Sequence, residues 1–292
     1  MIYGVLGLLG VVAAGFAGVF FNDLFIHRKQ LEDETSLPLN IAFGFVVDLF
    51  DTLGIGNFAP TTAFFRAFKQ VQDRLIPGTL NVSHTLPVGL EALLFLTVID
   101  VEILTLSLMI LAAVSGAIIG AGFVVGFREK TVQLVMGIAL LLTFLLMVFG
   151  QLGLIENLGT GEAVELRGWK LVIGASVNFI LGALMTVGVG LYAPCMALVY
   201  LLGLNPLVAF PIMMGSCAFL MPFASLRFIK AGAYNRKAAI AITIGGIFGV
   251  LIAVYIIKSL PLVILTWLVI VIVLITSVTL LRAGLRGGPS PE

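Results

Sequence analysis

Apolar segments follow one another along nearly the whole chain, at 1–26, 37–54, 55–68, 78–98, 101–126, 131–154, 169–187, 190–203, 206–226, 238–257 and 261–281, and polar positions collect in the short stretches between them. A helix rises about 1.5 Å per residue, so a segment of about 18–25 residues covers a hydrocarbon core of about 30 Å. The pattern predicts an all-α polytopic membrane protein. Two segments are too short to cross: 55–68 and 190–203, where about 14 residues rise only some 20 Å.

Each short segment begins at a copy of one motif, Gly54-Ile55-Gly56-Asn57-Phe58-Ala59-Pro60 and Gly188-Val189-Gly190-Leu191-Tyr192-Ala193-Pro194. A Gly-rich break in matching positions of two halves marks a duplicated transporter with discontinuous helices. If each break turns its helix back as a re-entrant hairpin and every other segment crosses, thirteen Lys and Arg between Arg28 and Arg286 fall on one side, leaving Arg167, Lys170 and Lys258 on the other. Cytoplasmic loops carry the excess of basic residues. The hairpin topology is therefore preferred, with the N-terminus outside and the C-terminus cytoplasmic. A hairpin plus three crossings is an odd number of passes, so the second repeat enters from the opposite face. The expected organisation is an extra N-terminal helix and cytoplasmic loop (1–36), repeat one (37–154), an external linker (155–168) containing Glu156, Glu162, Glu165 and Arg167, and repeat two with a short C-terminal tail (169–292). Pro77 is paired with Pro206, which requires an insertion near 66–76. Ser115-Gly116 with Gly120 is paired with Gly245 or Gly246 and Gly249, small residues that allow close helix contact.

Composition agrees: 60% hydrophobic, 11% charged and a mean hydropathy of +1.18 lie far from the averages of soluble domains. The net charge of +1, with basic residues at segment ends, argues against a nucleic-acid partner. Cys195 and Cys217 both sit in apolar segments, so neither a disulfide framework nor a CxxC metal site is expected, and no cofactor is implied. The first segment has no basic start and runs on for 26 residues, and it is read as a retained helix.

A helix that starts in mid-membrane leaves N–H groups without partners, and each start carries about half a positive charge. Short helices beginning at Gly56 and Gly190 from opposite faces would focus on an anion without any buried arginine. Asn57, Thr61, Thr62, Tyr192 and Cys195 are placed to orient it, and Ser83, Ser216 and Cys217 on the following helices are further candidates. The competing explanation is that the breaks only serve packing, since Gly and Pro are common in membrane helices. Asp48 and Asp51, at i and i+3 just before the first break, point either to proton or cation coupling or to capping near a helix end; their matched positions are Gly182 and Met185. His84 and Glu91 share one helix face with Ser83 and Thr85, which fits a proton relay, a substrate contact or hydrogen bonding between helices. The counterpart helix carries Ser216, Cys217 and Ser225. Cys195 and Cys217 fit small packing residues, or thiols that meet a sulfur substrate. Asp100 and Glu102 are expected to end a helix, and 27–36 to be a solvated loop.

The two Gly-rich breaks each followed by Pro, the basic loop Arg227–Lys237, and the stretches Ser115-Gly-Ala-Ile-Ile-Gly and Gly245-Gly-Ile-Phe-Gly together resemble the TauE/SafE family over nearly the full chain. That resemblance implies secondary transport of small sulfur-containing or carboxylate anions, such as sulfite, sulfoacetate and other sulfonates, across a bacterial inner membrane. The expected partners are a small anionic substrate, the lipid bilayer and protons. An anion channel using the same helix ends is the alternative transport reading. An intramembrane enzyme built on Asp48 and Asp51 is the alternative of another class, although no HExxH or Ser-His pattern accompanies the pair.

Overall fold

The computed structural model describes residues 2–96, 101–154, 163–256 and 262–286. Among these the chain is helical: α1 (Ile2–Ile26), α2 (Leu37–Asp51), α3 (Phe58–Ala67), α4 (Ile76–Phe95), α5 (Ile103–Val124), α6 (Glu129–Gln151), α7 (Trp169–Met185), α8 (Tyr192–Leu201), α9 (Ala209–Lys230), α10 (Arg236–Ile256) and α11 (Leu262–Arg286). The described residues contain no β-strand, only a single bridge between Ala163 and Leu204. Among the described residues five helices are long and apolar enough to cross a membrane: α1, α5, α6, α9 and α10. The protein is an all-α membrane protein. At 20 residues α4 is of similar length but carries Asn81, Ser83, His84 and Glu91, all buried, so its polarity is directed into the bundle.

At the centre α4 packs on α9, each of them also packing on a helix of the other half, α10 on α4 and α5 on α9. Around this core α2 lies on α10, α7 on α5, and α6 on α11. The spanning stretch of α9 is 83% buried while that of α1 is 17%, so α9 is interior and α1 lies outside against α9 and α4. Two crossings are closed by glycines. A β-carbon on Gly245 or Gly249 would run into the carbonyls of Ile41 and Phe45 on α2, and one on Gly116 or Gly120 would meet those of Phe179 and Ala183 on α7. Both pairs are spaced by four residues, which places them on one helix face and lets backbones approach closely. Of Gly245 and Gly246, the first packs against the neighbouring backbone; Gly246 makes room for the Asp48 carboxylate and Pro87.

The short helices run back beside the helices that precede them. Thr35 Oγ1 donates to the carbonyl of Gln70 at 2.9 Å, the Ser36 N–H donates to Gln70 Oε1 at 2.8 Å, and the Phe43 and Phe64 rings stack at 3.9 Å. The start of α2 thus meets the end of α3. In the second half Lys170 Nζ donates to the Leu202 carbonyl at 3.0 Å, joining the start of α7 to the end of α8.

These contacts sort the loops to two ends of the bundle. Asn235 donates to Thr35 Oγ1 and to Thr79 Oγ1, and Arg66 reaches both Asp73 and Thr279. At the other end Glu102 N–H donates to Val164, Leu166 N–H to Thr105 Oγ1, and Asn205 N–H to Ala163. Arg167 and Lys170 lie at this second end. Glu156, Glu162, Asp100 and Lys258 fall outside the described residues.

Three sequence expectations are corrected. Ile76 follows Gly54 by 22 residues and Ala209 follows Gly188 by 21, so the first half is longer by a single residue near 66–76 and the five-residue insertion that pairing Pro77 with Pro206 requires is absent. Pro77 falls in the first turn of α4 as Pro211 does in α9, with Pro87 and Pro222 further along, whereas Pro206 belongs to the 3-10 turn before α9. Glu102 does not end a helix but caps the start of α5, accepting from the N–H and hydroxyl of Thr105 at 2.7 and 2.8 Å. The 27–36 loop is not simply solvated: Glu32 accepts from the N–H groups of Arg236 and Lys237 at the start of α10, and Thr35 is buried.

Candidate functional site

Each break is an unwound stretch between two helices, 52–57 and 186–191, turned by glycines that no other residue replaces cheaply. Gly54, Gly56 and Gly188 have φ of 86°, 92° and 107°, a region where a β-carbon is strained. The helices that follow start two residues later than expected, at Phe58 and Tyr192. Their first turns leave N–H groups without intrahelical partners.

Both starts border the same small cavity. It is lined by Asp51, Gly56, Asn57, Phe58, Val88, Met185, Gly190, Leu191, Tyr192 and Cys217, and its volume is about 10 Å³. That is room for about one water molecule. Four pairs of lining residues occupy matched positions in the two motifs and the helices before them: Asp51 with Met185, Gly56 with Gly190, Asn57 with Leu191, and Phe58 with Tyr192. The cavity therefore has walls from matched positions with unequal chemistry. The first half supplies a carboxyl and an amide, the second a thioether, an alkyl group, a phenol and, from α9, a thiol.

A buried polar network surrounds the cavity on the side of the first break. Asp48 Oδ1 accepts from Asn57 Nδ2 at 2.9 Å and lies 2.7 Å from His84 Nδ1, with both Asp48 and His84 at 0% exposure. Thr61 Oγ1 donates to the Asn57 carbonyl at 2.7 Å and lies 3.2 Å from His84 Nε2. The His84 ring thus stands between the Asp48 carboxyl on α2 and the Thr61 hydroxyl on α3. Glu91 accepts from Tyr192 Oη at 3.0 Å and lies 2.9 Å from Thr52 Oγ1, whose single proton is shared with the Asp48 carbonyl at 2.7 Å. It thereby ties the first break to the start of α8. Asp51 differs from both. It lies beside Glu91 and the Asn57 N–H, and no cation or hydroxyl reaches its two buried oxygens. No Lys or Arg lines the cavity.

Of the residues expected at the site, Gly56, Asn57, Gly190, Tyr192, Cys217 and Asp51 line the cavity. Thr61, His84, Asp48 and Glu91 stand behind them in the network. His84 and Glu91, expected to work together on one face of α4, have separate partners, His84 with Asp48 and Glu91 with Thr52 and Tyr192. Thr62 Oγ1 donates to the Phe58 carbonyl and Ser83 Oγ to that of Leu80, so both hydroxyls are used locally. Ser216 Oγ accepts from Asn178 Nδ2, which also donates to the Met109 carbonyl, a link between α7, α9 and α5. Cys195 is buried outside the lining, and Cys217 Sγ lies 3.6 Å from Met185 Sδ. Sequence reasoning missed Thr52, Val88 and Met185. Met185 had a signal, since it matches Asp51 across the repeats; Thr52 and Val88 had none beyond proximity to the break. Within the described residues, no group of three or more His, Cys, Asp and Glu is arranged to hold a metal ion.

No family model, curated protein or solved structure matches the chain.

Proposed function

We propose that the protein is a secondary transporter of a small anion, working by alternating access at the cavity between the two breaks. The observation that carries this reading is that the starts of α3 and α8, each with free N–H groups and a partial positive charge, border one cavity. Two inverted repeats, each a re-entrant hairpin followed by three transmembrane helices, are the architecture we propose for it, with α1 as an addition. Its support is the exchange symmetry of the packing: α2 on α10 mirrors α7 on α5, α4 on α10 mirrors α9 on α5, and α4 with α9 and α6 with α11 pair with themselves. The bundle end bearing thirteen basic residues is the cytoplasmic one under the positive-inside rule. A bacterial inner membrane is the location this reading carries.

We develop the carrier reading over the channel because the two breaks border one small cavity, and no continuous path is needed if the proposed repeats rock about it. The substrate class rests on the TauE/SafE resemblance: sulfite, sulfoacetate and other sulfonates. Cys217 and Met185 on the wall suit a polarisable sulfur-containing ion. The test is counterflow in proteoliposomes loaded with unlabelled anion. Labelled sulfite, sulfoacetate or methanesulfonate should accumulate transiently, and the absence of counterflow for all three and for simple carboxylates would overturn the proposal.

A further inference from the structure

An anion site with carboxyl groups in its wall raises an electrostatic question, and the answer lies in which carboxyls are already neutralised. Asp48, Asp51 and Glu91 are all buried within the network, with His84 as the only basic side chain among them. His84 is committed to Asp48. Glu91 has the Tyr192 hydroxyl as a donor and shares that of Thr52 with the Asp48 carbonyl. Asp51 has no cation and no hydroxyl donor, only Glu91 and the Asn57 N–H beside it, yet it is the carboxyl that lines the cavity. The titratable groups that face it are Asp48 on its own helix, Glu91 from α4, Tyr192 from α8 and Cys217 from α9; none is a cation.

Its position beside the Asn57 amide matters for the substrate. As a carboxylate, Asp51 would sit at the start of α3 as an internal anion, competing for the positive end that the substrate needs. With a proton it becomes a neutral donor to a bound oxyanion, or to Glu91 beside it, and the helix start is released. We infer that Asp51 is the coupling site: one proton on Asp51 accompanies each anion, so that the transporter is a proton–anion symporter. This rests on the transport reading above. Asp48 and His84 do not exchange that proton; they fix Asn57 at the break. The coupling belongs to one repeat only, because the matched position is Met185.

Binding of anion and proton to one site is linked, and the linkage is reciprocal. Methanesulfonate is the probe, since the sulfonate group stays charged across the working range. In wild-type protein its affinity should rise about tenfold for each unit of pH lowered, where one proton is taken up with it. In proteoliposomes, the null point between opposing pH and anion gradients should give one proton per anion. Asp51→Asn should flatten the pH profile and lower the stoichiometry by one proton, whatever its remaining rate. An unchanged stoichiometry in Asp51→Asn, or wild-type accumulation driven by sodium instead of a pH gradient, would overturn the inference while leaving the anion carrier intact. If Asp51→Asn fails to fold, the wild-type profile decides: a flat profile overturns it. No exchange of methanesulfonate, sulfoacetate or sulfite at any pH would remove the transport reading and this inference with it.

Discussion

Removing His84 should cost more than removing the charge it answers. In the native network Asp48 Oδ1 has two partners, His84 at 2.7 Å and Asn57 Nδ2 at 2.9 Å, while Oδ2 is buried and has none. His84→Leu leaves a carboxylate at 0% exposure with a single amide donor. Breaking a buried pair from one side costs about 3–5 kcal/mol, because a charge is left without compensation. Asp48→Asn keeps an acceptor for Asn57 and an oxygen near His84, so its cost is that of weakened hydrogen bonds, about 1–3 kcal/mol. The two changes should not add. Once His84 is gone, Asp48→Asn removes the stranded charge and should restore about 1–2 kcal/mol of the loss, so the same substitution destabilises the wild type and stabilises the His84→Leu protein. The assay is a double-mutant cycle on unfolding in lipid-containing micelles, where His84→Leu alone should lower the midpoint by about 10 °C. If Asp48→Asn destabilises both backgrounds equally, the pair is not coupled and the argument about which carboxyl is neutralised fails.

Further expectations concern packing, capping and access. Gly245→Leu and Gly116→Leu should each destabilise by at least about 1–3 kcal/mol, since the new side chain meets backbone carbonyls that have no rotamer to yield; Gly89→Ala on α4, where a β-carbon meets nothing within 4 Å, is the tolerated control in the same unfolding assay. The N–H and hydroxyl of Thr105, with Arg167 nearby, hold the Glu102 carboxyl below the usual carboxylate range. Its stabilising contribution is therefore present above the ordinary value and lost as pH falls through the lowered one, so Glu102→Gln should be less stable at pH 7 and indistinguishable from wild type at strongly acidic pH in melting curves. Cys217, on the cavity wall, should react with a small thiol reagent during turnover and be protected by bound anion, whereas Cys195 off the wall should not show substrate protection; mass spectrometry of the labelled peptides reads both, and equal protection would refute the wall assignment.

Much of the fold was legible because the bilayer limits the choices. Apolar segment length predicted the long helices, and the two short segments emerged as α3 and α8 with ends that return to the helices before them. Helix starts were legible to within two residues at the breaks, where Gly56 and Gly190 were expected to begin helices that start at Phe58 and Tyr192. What failed was register between the halves. Pro77 and Pro206 looked equivalent because each precedes an apolar run, but a proline is tolerated equally in a 3-10 turn and in the first turn of a helix, so it cannot fix an alignment alone. The role of Glu102 was misread for a related reason. A carboxylate between two apolar segments either ends one or caps the next, and only the return of its side chain to the Thr105 N–H distinguishes them.

The side-chain network was less legible, because its partners come from different helices. Spacing put His84 and Glu91 on one face of α4, and that face is indeed turned inward, yet the two groups meet different neighbours: the end of α2 takes His84, and the break together with α8 takes Glu91. A helix face sets direction; the helices it faces set chemistry. The same reasoning explains why two matching sequence motifs do not make a symmetric site. A positive-φ glycine opens each break, Gly54 in one half and Gly188 in the other, and Gly56 and Gly190 reach the cavity from both halves. At the matched positions beside them one half offers Asp51 and Asn57 and the other Met185 and Leu191, so the carboxyl on the cavity wall comes from one half. A substrate held between two equivalent helix starts would be held without direction in its chemistry. The single carboxyl on one wall breaks that equivalence, which is why Asp51, rather than either glycine motif, is the residue whose replacement best separates a coupled carrier from a passive one.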